Sequence, residues 1–273
     1  MKEEFVKKER YEYNDLLKIM SMLRAPNGCP WDREQDHKSL KRYLIEEAYE
    51  VLEAIDEESP AKLCDELGDL LLQVVFHAQI AKENQQFDLG DVIHGVSAKM
   101  INRHRHVFGG EEAETPDDVM TIWEKVKKEE KGQKTQTQVL NGVPSNLPAL
   151  MRSFKVQQKA AQVGFDWDDI KDAMQKIKEE FDELEQAYNN KNEANIEEEL
   201  GDLLFAVVNV SRFLKIQPEL ALTATTNKFI RRFEYVEQCA AKEGKQLTDM
   251  SLSEMDAFWD ESKKLEREEK EEG

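Results

Sequence analysis

Glycine and proline are scarce in this chain of 273 residues, which contains 12 glycines and 7 prolines. The alternation of apolar and polar residues that marks β-strands is almost absent, and long stretches are rich in Glu, Lys, Leu and Ala. A composition of this kind favours helices and argues against sheets. We therefore predict an all-α fold, with enough residues for two domains of about 130 each.

Cysteine is also scarce, and the three residues Cys29, Cys64 and Cys239 form no Cys-x-x-Cys pair. An odd number of unpaired cysteines is typical of a protein that works in a reducing compartment. No apolar run approaches the about 20 residues that a membrane-spanning helix needs. The start of the chain lacks the apolar segment of a signal peptide. We expect a cytoplasmic protein without a membrane partner.

Histidine is missing from the second half of the chain, because all five histidines lie between positions 37 and 106. Chemistry that is common to both halves therefore cannot depend on histidine. A ferritin-like di-iron centre needs Glu-x-x-His on its helices, which neither half provides. For the segment 103–106, Arg-His-Arg-His, a helix end that binds an anion or makes local contacts is favoured over a zinc site.

Positive charge is in deficit, since the formal net charge is −19. A surface of this sign repels the phosphates of DNA and RNA, so we expect no nucleic-acid partner. A small anionic substrate is compatible with this charge, because metal ions held by carboxylates can bind phosphates in turn.

The clearest positive feature is a carboxylate pattern that occurs twice. Glu-Glu-x-x-Glu is followed by Glu-Leu-Gly-Asp-Leu-Leu in both 46–75 and 179–208, and the two windows align without a gap. A repeat that keeps its acids in register indicates a functional site as well as a shape. A polar segment separates the halves, so we predict a first domain at 1–131, a linker at 132–138 and a second domain at 139–273.

On helices, the acids of each pattern lie along one edge of an apolar stripe. If the two helices of each half pack antiparallel, four carboxylates converge, and they would repel one another unless a divalent cation neutralised them. An all-oxygen ligand set favours Mg²⁺, with Mn²⁺ as a substitute. The predicted ligands are Glu47, Glu50, Glu66 and Asp69 in the first half and Glu180, Glu183, Glu199 and Asp202 in the second.

The helix that carries Glu66 and Asp69 is apolar nearly all round, so we expect it to be largely buried. Ionised acids on a buried helix are costly without a compensating cation. Gly68 and Gly201 would lie in mid-helix at a cost of about 1 kcal/mol each relative to alanine. We expect a neighbouring helix to approach closely at both glycines.

Each half also repeats a Lys and an Arg four residues apart, followed by a Trp before a charged helix. A lone Trp usually belongs to the core, but its repeated placement after the basic pair also fits stacking on a planar ligand. The residues are Lys99, Arg103 and Trp123 in the first half and Lys228, Arg232 and Trp259 in the second.

Together these patterns resemble the all-α nucleoside triphosphate pyrophosphohydrolase superfamily, and in detail its bacterial two-domain MazG family. The likeness covers about residues 14–265 and includes the segments 28–32, 103–108, 163–168 and 227–233. It implies two tandem helical-bundle domains that are completed by homodimerisation. It also implies hydrolysis of nucleoside and deoxynucleoside triphosphates to the monophosphate and pyrophosphate with Mg²⁺.

The resemblance assigns roles by position. Lys228 and Arg232 would bind the triphosphate with help from Lys176, and Trp259 would contact the base. The first-half counterparts would be Lys99, Arg103 and Trp123, with Lys62 as a further candidate for phosphate binding. Glu46 and Glu179 lie next to the predicted metal ligands and are the candidate catalytic carboxylates, which would orient or deprotonate a water.

Two departures leave open which half is active. Relatives often carry Lys four residues before the Glu of Glu-x-x-Asp, where the second half has Asn195 and the first has Lys62. Conversely, the first half has Tyr43 where the second has Lys176. Each half thus keeps one of two phosphate-binding lysines, and one half could be a regulatory domain or scaffold.

The substrate range is also open. No obvious residue reads a base edge, so we expect a broad base range that suits the removal of non-standard nucleotides. The alternative is a narrow enzyme for dUTP or phosphoribosyl-ATP.

Overall fold

The computed structural model describes residues 6–272, and side chains within that range up to residue 268. All regular elements in this range are helices, which confirms the all-α prediction. None of these helices combines the length and the apolar character that a membrane-spanning segment requires. The chain forms two compact units that divide between Lys127 and Lys128. The first turn of a helix that starts at Gln136 falls inside the predicted linker 132–138, whose boundaries stay a prediction.

The first unit is built around a helical hairpin. Its helices are α1 (Tyr13–Arg24), α2 (Pro30–Glu34), α3 (Lys41–Asp56), α4 (Pro60–Glu83), α5 (Leu89–Arg103), α6 (Arg105–Phe108) and α7 (Pro116–Glu130), the last of which ends beyond the division. The hairpin consists of α3 and α4, which pack along each other. Its core lies toward the end of α4, where Val75, Phe76 and Ile80 pack with Met20 and Leu40.

The second unit repeats this plan. Its helices are α8 (Gln136–Asn141), α9 (Ala149–Ala161), α10 (Ile170–Asn189), α11 (Glu193–Phe213), α12 (Pro218–Lys242) and α13 (Leu252–Glu272), with a short 3-10 helix at Leu247–Asp249. The hairpin here is α10 and α11, with α9 packed on α11 and α12 packed on α13. Small and β-branched residues such as Ala173, Ala206 and Val208 are buried between these helices.

Corresponding residues turn the chain between the two helices of each hairpin. Glu58 and Lys191 adopt positive φ angles of 51° and 54° in the connections that precede α4 and α11. Ser59 and Asn192 then accept hydrogen bonds from backbone N–H groups in the first turn, as helix-capping residues do. The same turn followed by the same kind of cap places the acids of α3 beside those of α4, and those of α10 beside those of α11.

One expectation about burial is wrong for the chain by itself. The helix that carries Asp69 buries only one face, while Leu67 and Leu71 are 47% and 46% exposed. The corresponding Leu200 and Leu204 on α11 are 47% and 49% exposed. The expected close helix approach at Gly68 and Gly201 is not seen either, because a Cβ added at these positions would meet no atom within 4 Å. Both hairpins therefore present an apolar face that the chain's described residues do not cover.

Candidate active site

The second hairpin brings three of its predicted ligands together. Glu180 on α10 and Glu199 and Asp202 on α11 each place a carboxylate oxygen within 4.8 Å of the other two. The two acids of α11 are three residues apart and therefore share one helix face. Glu180 is only 6% exposed, whereas Glu199 is half-buried and Asp202 is exposed, so the group extends from the interior of the hairpin to its surface. Three converging carboxylates can hold a hard divalent cation.

Glu180 has unequal oxygens. Its Oε1 forms an ion pair with Lys176 Nζ, one turn earlier on α10. Its Oε2 is buried without a hydrogen-bond partner in the described structure. A buried carboxylate oxygen without a partner is unfavourable, because it has lost water and gained nothing in return. A divalent cation would satisfy this oxygen, so the residues present fit the metal that the sequence predicts.

The first hairpin repeats the arrangement with Glu47 on α3 and Glu66 and Asp69 on α4, whose oxygens also lie within 4.8 Å of one another. Here the buried side chain of Gln73 donates a hydrogen bond from Nε2 to Glu47 Oε1 at 3.4 Å. Tyr43 stands at the position of Lys176 and offers no positive charge to the cluster. The two units thus share the acids but differ in the groups that support them.

Burial, and after it the charge of neighbouring acids, raises pKa values in both clusters. Burial raises the pKa of Glu47, and the charges of Asp69 and Glu50 add to this effect. The pKa of Glu66 is raised in the same way, first by burial and then by Glu50. In the second unit, burial and the charge of Glu183 raise the pKa of Glu199. Ions of like charge that face each other without a counter-ion favour the protonated form.

Four predicted acids lie outside the two tight groups. Glu50 and Glu183 are exposed and act on Glu66 and Glu199 through their charge. The candidate catalytic residues Glu46 and Glu179 are also exposed, and Glu179 lies 3.6 Å from Lys176 Nζ. Their assignment as ligands or bases stays a prediction.

The basic and aromatic residues form a second group in each unit. The guanidinium of Arg103 lies over the ring of Trp123, 5.1 Å from its centroid, and that of Arg232 lies 5.7 Å from the centroid of Trp259. Both Trp side chains are half-buried, so each ring packs against the protein on one part and remains accessible on another. Arg232 also donates hydrogen bonds to Glu266.

The predicted lysines differ in their surroundings. Lys62 forms ion pairs with Glu53 and Glu57 of α3, at 2.8 and 3.1 Å. Lys99 is exposed on α5, and Lys228 is half-buried on α12 one turn before Arg232. Among the described residues of the second unit, neither Lys228 nor Arg232 forms a hydrogen bond or ion pair with the acidic cluster. In the second unit, Lys176 therefore lies on the acidic cluster, while Lys228 and Arg232 belong to a separate group with Trp259.

A cavity of about 540 Å³ adjoins the acidic cluster of the second unit. Lys176, Glu180 and Asp202 line it together with Gln157, Trp167 and Asn209. The sequence motifs did not indicate Gln157 or Asn209 as functional candidates. A signal for Gln157 did exist, because it interrupts the apolar stripe of α9 formed by Leu150, Phe154 and Ala161.

The loop before α10 forms part of the wall of this cavity, and an ion pair fixes this loop to α11. Asp166 forms an ion pair with Arg212 of α11, where Nη1 donates to Oδ2 at 2.9 Å. Arg212 also donates to Asn209 Oδ1 at 3.1 and 2.9 Å. Gly164 begins this loop with a φ of 83°, a conformation that favours glycine. These contacts fix Trp167 and Asn209 at the edge of the cavity.

Comparisons with known proteins find similar sequences over most of this chain. The family model described as the MazG nucleotide pyrophosphohydrolase domain matches residues 35–108 and 169–237, once in each half. The chain is 45% identical over 251 residues to the nucleoside triphosphate pyrophosphohydrolase/pyrophosphatase MazG of Thermotoga maritima, covering 92% of this chain and 95% of that protein. It is 45% identical over 254 residues to the nucleoside triphosphate pyrophosphohydrolase of Escherichia coli, covering 92% and 97%.

A further relative is longer than this chain. The uncharacterized protein YabN of Bacillus subtilis is 49% identical over 258 residues, which cover 94% of this chain and 53% of YabN. The chain therefore spans about half the length of that relative.

Proposed function

The chain belongs to the MazG nucleotide pyrophosphohydrolase family and is a hydrolase, and we propose that it converts nucleoside and deoxynucleoside triphosphates to the monophosphate and pyrophosphate. The observation that carries this proposal is the carboxylate cluster of the second unit beside a cavity, with a buried Glu180 oxygen that has no hydrogen-bond partner among the described residues. That combination suits a cation next to a phosphorylated small molecule.

We propose Mg²⁺ as the metal, with Mn²⁺ as a substitute, because the donor atoms are all carboxylate oxygens. Glu180, Glu199 and Asp202 would hold it, and Glu183 would contribute from its exposed position on α10. When bound, the ion supplies charge neutralisation for the phosphates and a lower pKa for a coordinated water.

The protein's own residues would carry the remaining work. Glu179 would orient the attacking water and accept its proton, as a carboxylate acting as a general base does. Attack in line at the α-phosphorus breaks the α–β phosphoanhydride bond, and the electrons of that bond leave with pyrophosphate. Lys176, Lys228 and Arg232 would neutralise the charge of the triphosphate and of the leaving group.

The second unit is the better candidate for the active half. Its Lys176 lies directly on the cluster, whereas Lys62 of the first unit is held by Glu53 and Glu57. We propose that the first unit, with Glu46 as its candidate base and Lys99, Arg103 and Trp123 as its candidate substrate contacts, has a regulatory or supporting role.

We also propose that two copies of the chain associate through the apolar faces of the hairpins. Leu200, Leu204 and Val207 form an exposed stripe on α11, and α4 has its counterpart at the same register. Exposed apolar patches of this kind mark interaction surfaces, and the open space at Gly201 would admit a neighbouring helix. Lys228, Arg232 and Trp259 of a second copy would then complete the site, with Trp259 stacking on the base.

A broad base range, a role in removing non-standard nucleotides and a cytoplasmic location complete the proposal. The decisive experiment measures monophosphate and pyrophosphate release with Mg²⁺ over a panel of triphosphates that includes dUTP and deaminated bases. Phosphoribosyl-ATP belongs in the same panel. Turnover of one compound alone would contradict the broad range.

Matched substitutions locate the site. We expect Glu180→Gln to lower turnover at least about 100-fold, since the cation would lose a charged ligand and its positive charge would no longer be positioned at the reacting phosphate. Glu47→Gln, its counterpart in the first unit, should leave turnover within about threefold of wild type, as should Glu185→Gln, an exposed control on α10. Full activity of Glu180→Gln would refute the site, and loss only in Glu47→Gln would move it to the first unit.

A further inference from the structure

The side chain of Gln157 has one satisfied end and one unsatisfied end. It lies on α9 and is 8% exposed. Its Nε2 donates a hydrogen bond to the backbone carbonyl oxygen of Phe205 at 2.8 Å. A carbonyl oxygen can only accept, so this bond fixes the orientation of the amide. The other end, Oε1, is therefore an acceptor, and it is buried without a hydrogen-bond partner in the described structure.

Buried acceptors without partners are rare in folded proteins, because each has lost its water without replacement. Gln157 lines the cavity beside the acidic cluster, so a molecule in that cavity is the available partner. That molecule must present an N–H or O–H group, since Oε1 can only accept.

The lining of the cavity combines charged and aromatic side chains. Glu180, Asp202 and Lys176 lie together where a metal-bound phosphate would sit, and Phe165, Trp167 and Phe205 contribute apolar surface. Its volume of about 540 Å³ falls within the range of pockets that bind small molecules. A phosphorylated compound held at the acidic cluster would place one face of its planar, apolar part against these aromatic side chains.

We propose that this cavity takes the nucleobase of the substrate and that Gln157 Oε1 accepts a hydrogen bond from an N–H group on the base edge. The inference rests on the proposed function and adds a residue that reads the base. All standard bases carry an N–H donor, for example the amino groups of adenine and cytosine. Gln157 therefore requires a donor without choosing among the standard bases, which suits a broad base range.

A two-by-two comparison tests this contact. The two substrates are ATP and purine riboside triphosphate, which has the same sugar and phosphates but no amino group on its base. The two proteins are wild type and Gln157→Leu. We expect wild type to prefer ATP by about tenfold in kcat/KM, which is the effect of one hydrogen bond to a buried acceptor. In Gln157→Leu the two substrates should become equal, with the analogue unaffected.

Controls separate the contact from a general loss of structure. Gln158→Leu changes the exposed neighbour on α9 and should keep the preference for ATP. Equal loss on both substrates in Gln157→Leu, or an unchanged preference, would overturn the proposal. A sugar analogue, 2′,3′-dideoxy-ATP, provides a further test. If Gln157→Leu lowers kcat/KM for the purine analogue but not for dideoxy-ATP, Gln157 contacts the sugar and the assignment to the base is wrong.

A binding measurement distinguishes this inference from the proposed function. Calorimetric titration of the protein in the presence of Mg²⁺ with AMP and with purine riboside monophosphate needs no turnover. We expect wild type to bind AMP about tenfold more tightly than purine riboside monophosphate, and Gln157→Leu to bind the two compounds equally well. This result without any pyrophosphate release would leave the base contact standing and refute the reaction. Pyrophosphate release without any preference for AMP would support the proposed reaction and refute the base contact.

Discussion

Glu266 accepts two hydrogen bonds from Arg232, one from Nε at 3.0 Å and one from Nη2 at 2.7 Å. The same guanidinium lies over the ring of Trp259. The fork of an arginine side chain binds carboxylate and phosphate with the same geometry. Glu266 therefore occupies the side of Arg232 that we propose for a substrate phosphate.

If the Glu266 carboxylate and a substrate phosphate compete for Arg232, removing the charge of Glu266 should strengthen substrate binding. We expect Glu266→Gln to lower the KM for a triphosphate by about threefold with kcat unchanged, since a partly exposed ion pair is worth less than 1 kcal/mol. Steady-state kinetics of this variant beside Glu268→Gln, an exposed control on α13, provides the measurement. A raised KM would mean that Glu266 holds Arg232 in position and does not compete.

The ion pair between Lys176 and Glu180 leads to a prediction about stability. The carboxylate of Glu180 is buried, so removing the ammonium leaves a buried charge without compensation. We expect Lys176→Met to lower the free energy of unfolding in EDTA by about 1 kcal/mol, less than for a fully buried pair because solvent reaches Lys176. Urea unfolding measures this, with Lys178→Met as the exposed control.

Added Mg²⁺ should reduce this difference between wild type and Lys176→Met, because the cation replaces the missing charge at Glu180. A difference that is the same with and without Mg²⁺ would indicate that the ion does not bind at this carboxylate.

The raised pKa values of Glu47, Glu66 and Glu199 predict how pH acts on the metal-free protein. A carboxyl whose pKa is raised by folding stabilises the folded state below its ordinary value of 4.5, and this contribution is lost as pH rises through the raised value. At neutral pH the clusters therefore oppose folding unless a cation is bound.

Stabilisation by Mg²⁺ should accordingly be largest at neutral pH. We expect the rise in melting temperature that saturating Mg²⁺ produces to shrink as pH falls through the raised values toward 4.5, because protons then replace the ion. Thermal unfolding with Mg²⁺ and with EDTA over this pH range gives the result. A shift that does not depend on pH would show that these carboxylates are not the ligands.

Helical periodicity, together with the repeated acid pattern, predicted most of the acidic clusters, because residues three and four apart share a helix face. Glu199 and Asp202 needed only this rule and the packing of two neighbouring helices. Gln157 could not be placed in the same way, because its partner Phe205 lies 48 residues further along the chain. A cavity depends on how several helices assemble, which periodicity does not specify.

The sequence pattern also could not predict which surface buries the apolar faces of α4 and α11. An apolar residue such as Leu71 or Leu204 signals that some surface covers it, but the sequence does not say whether that surface belongs to the same chain. Gly68 and Gly201 carry the same ambiguity, since a helix from a second copy can approach them as well as a helix of this chain.

The proposed association of two copies can be tested on this face. A carboxylate at the centre of the α11 stripe would have to be buried without a partner, which is unfavourable. We expect Leu204→Glu to convert a dimer into monomers in analytical ultracentrifugation, while Leu252→Glu, at a highly exposed leucine on α13, should not.

Turnover should follow the state of association, because we propose that the basic residues of a second copy complete the acidic cluster. We expect Leu204→Glu to lose activity at low protein concentration and to regain part of it as concentration rises and dimers form again by mass action. A monomeric Leu204→Glu variant with wild-type turnover would show that one chain contains the whole site. Lys228, Arg232 and Glu180 would then have to meet within a single copy, through a rearrangement of α12 toward the hairpin.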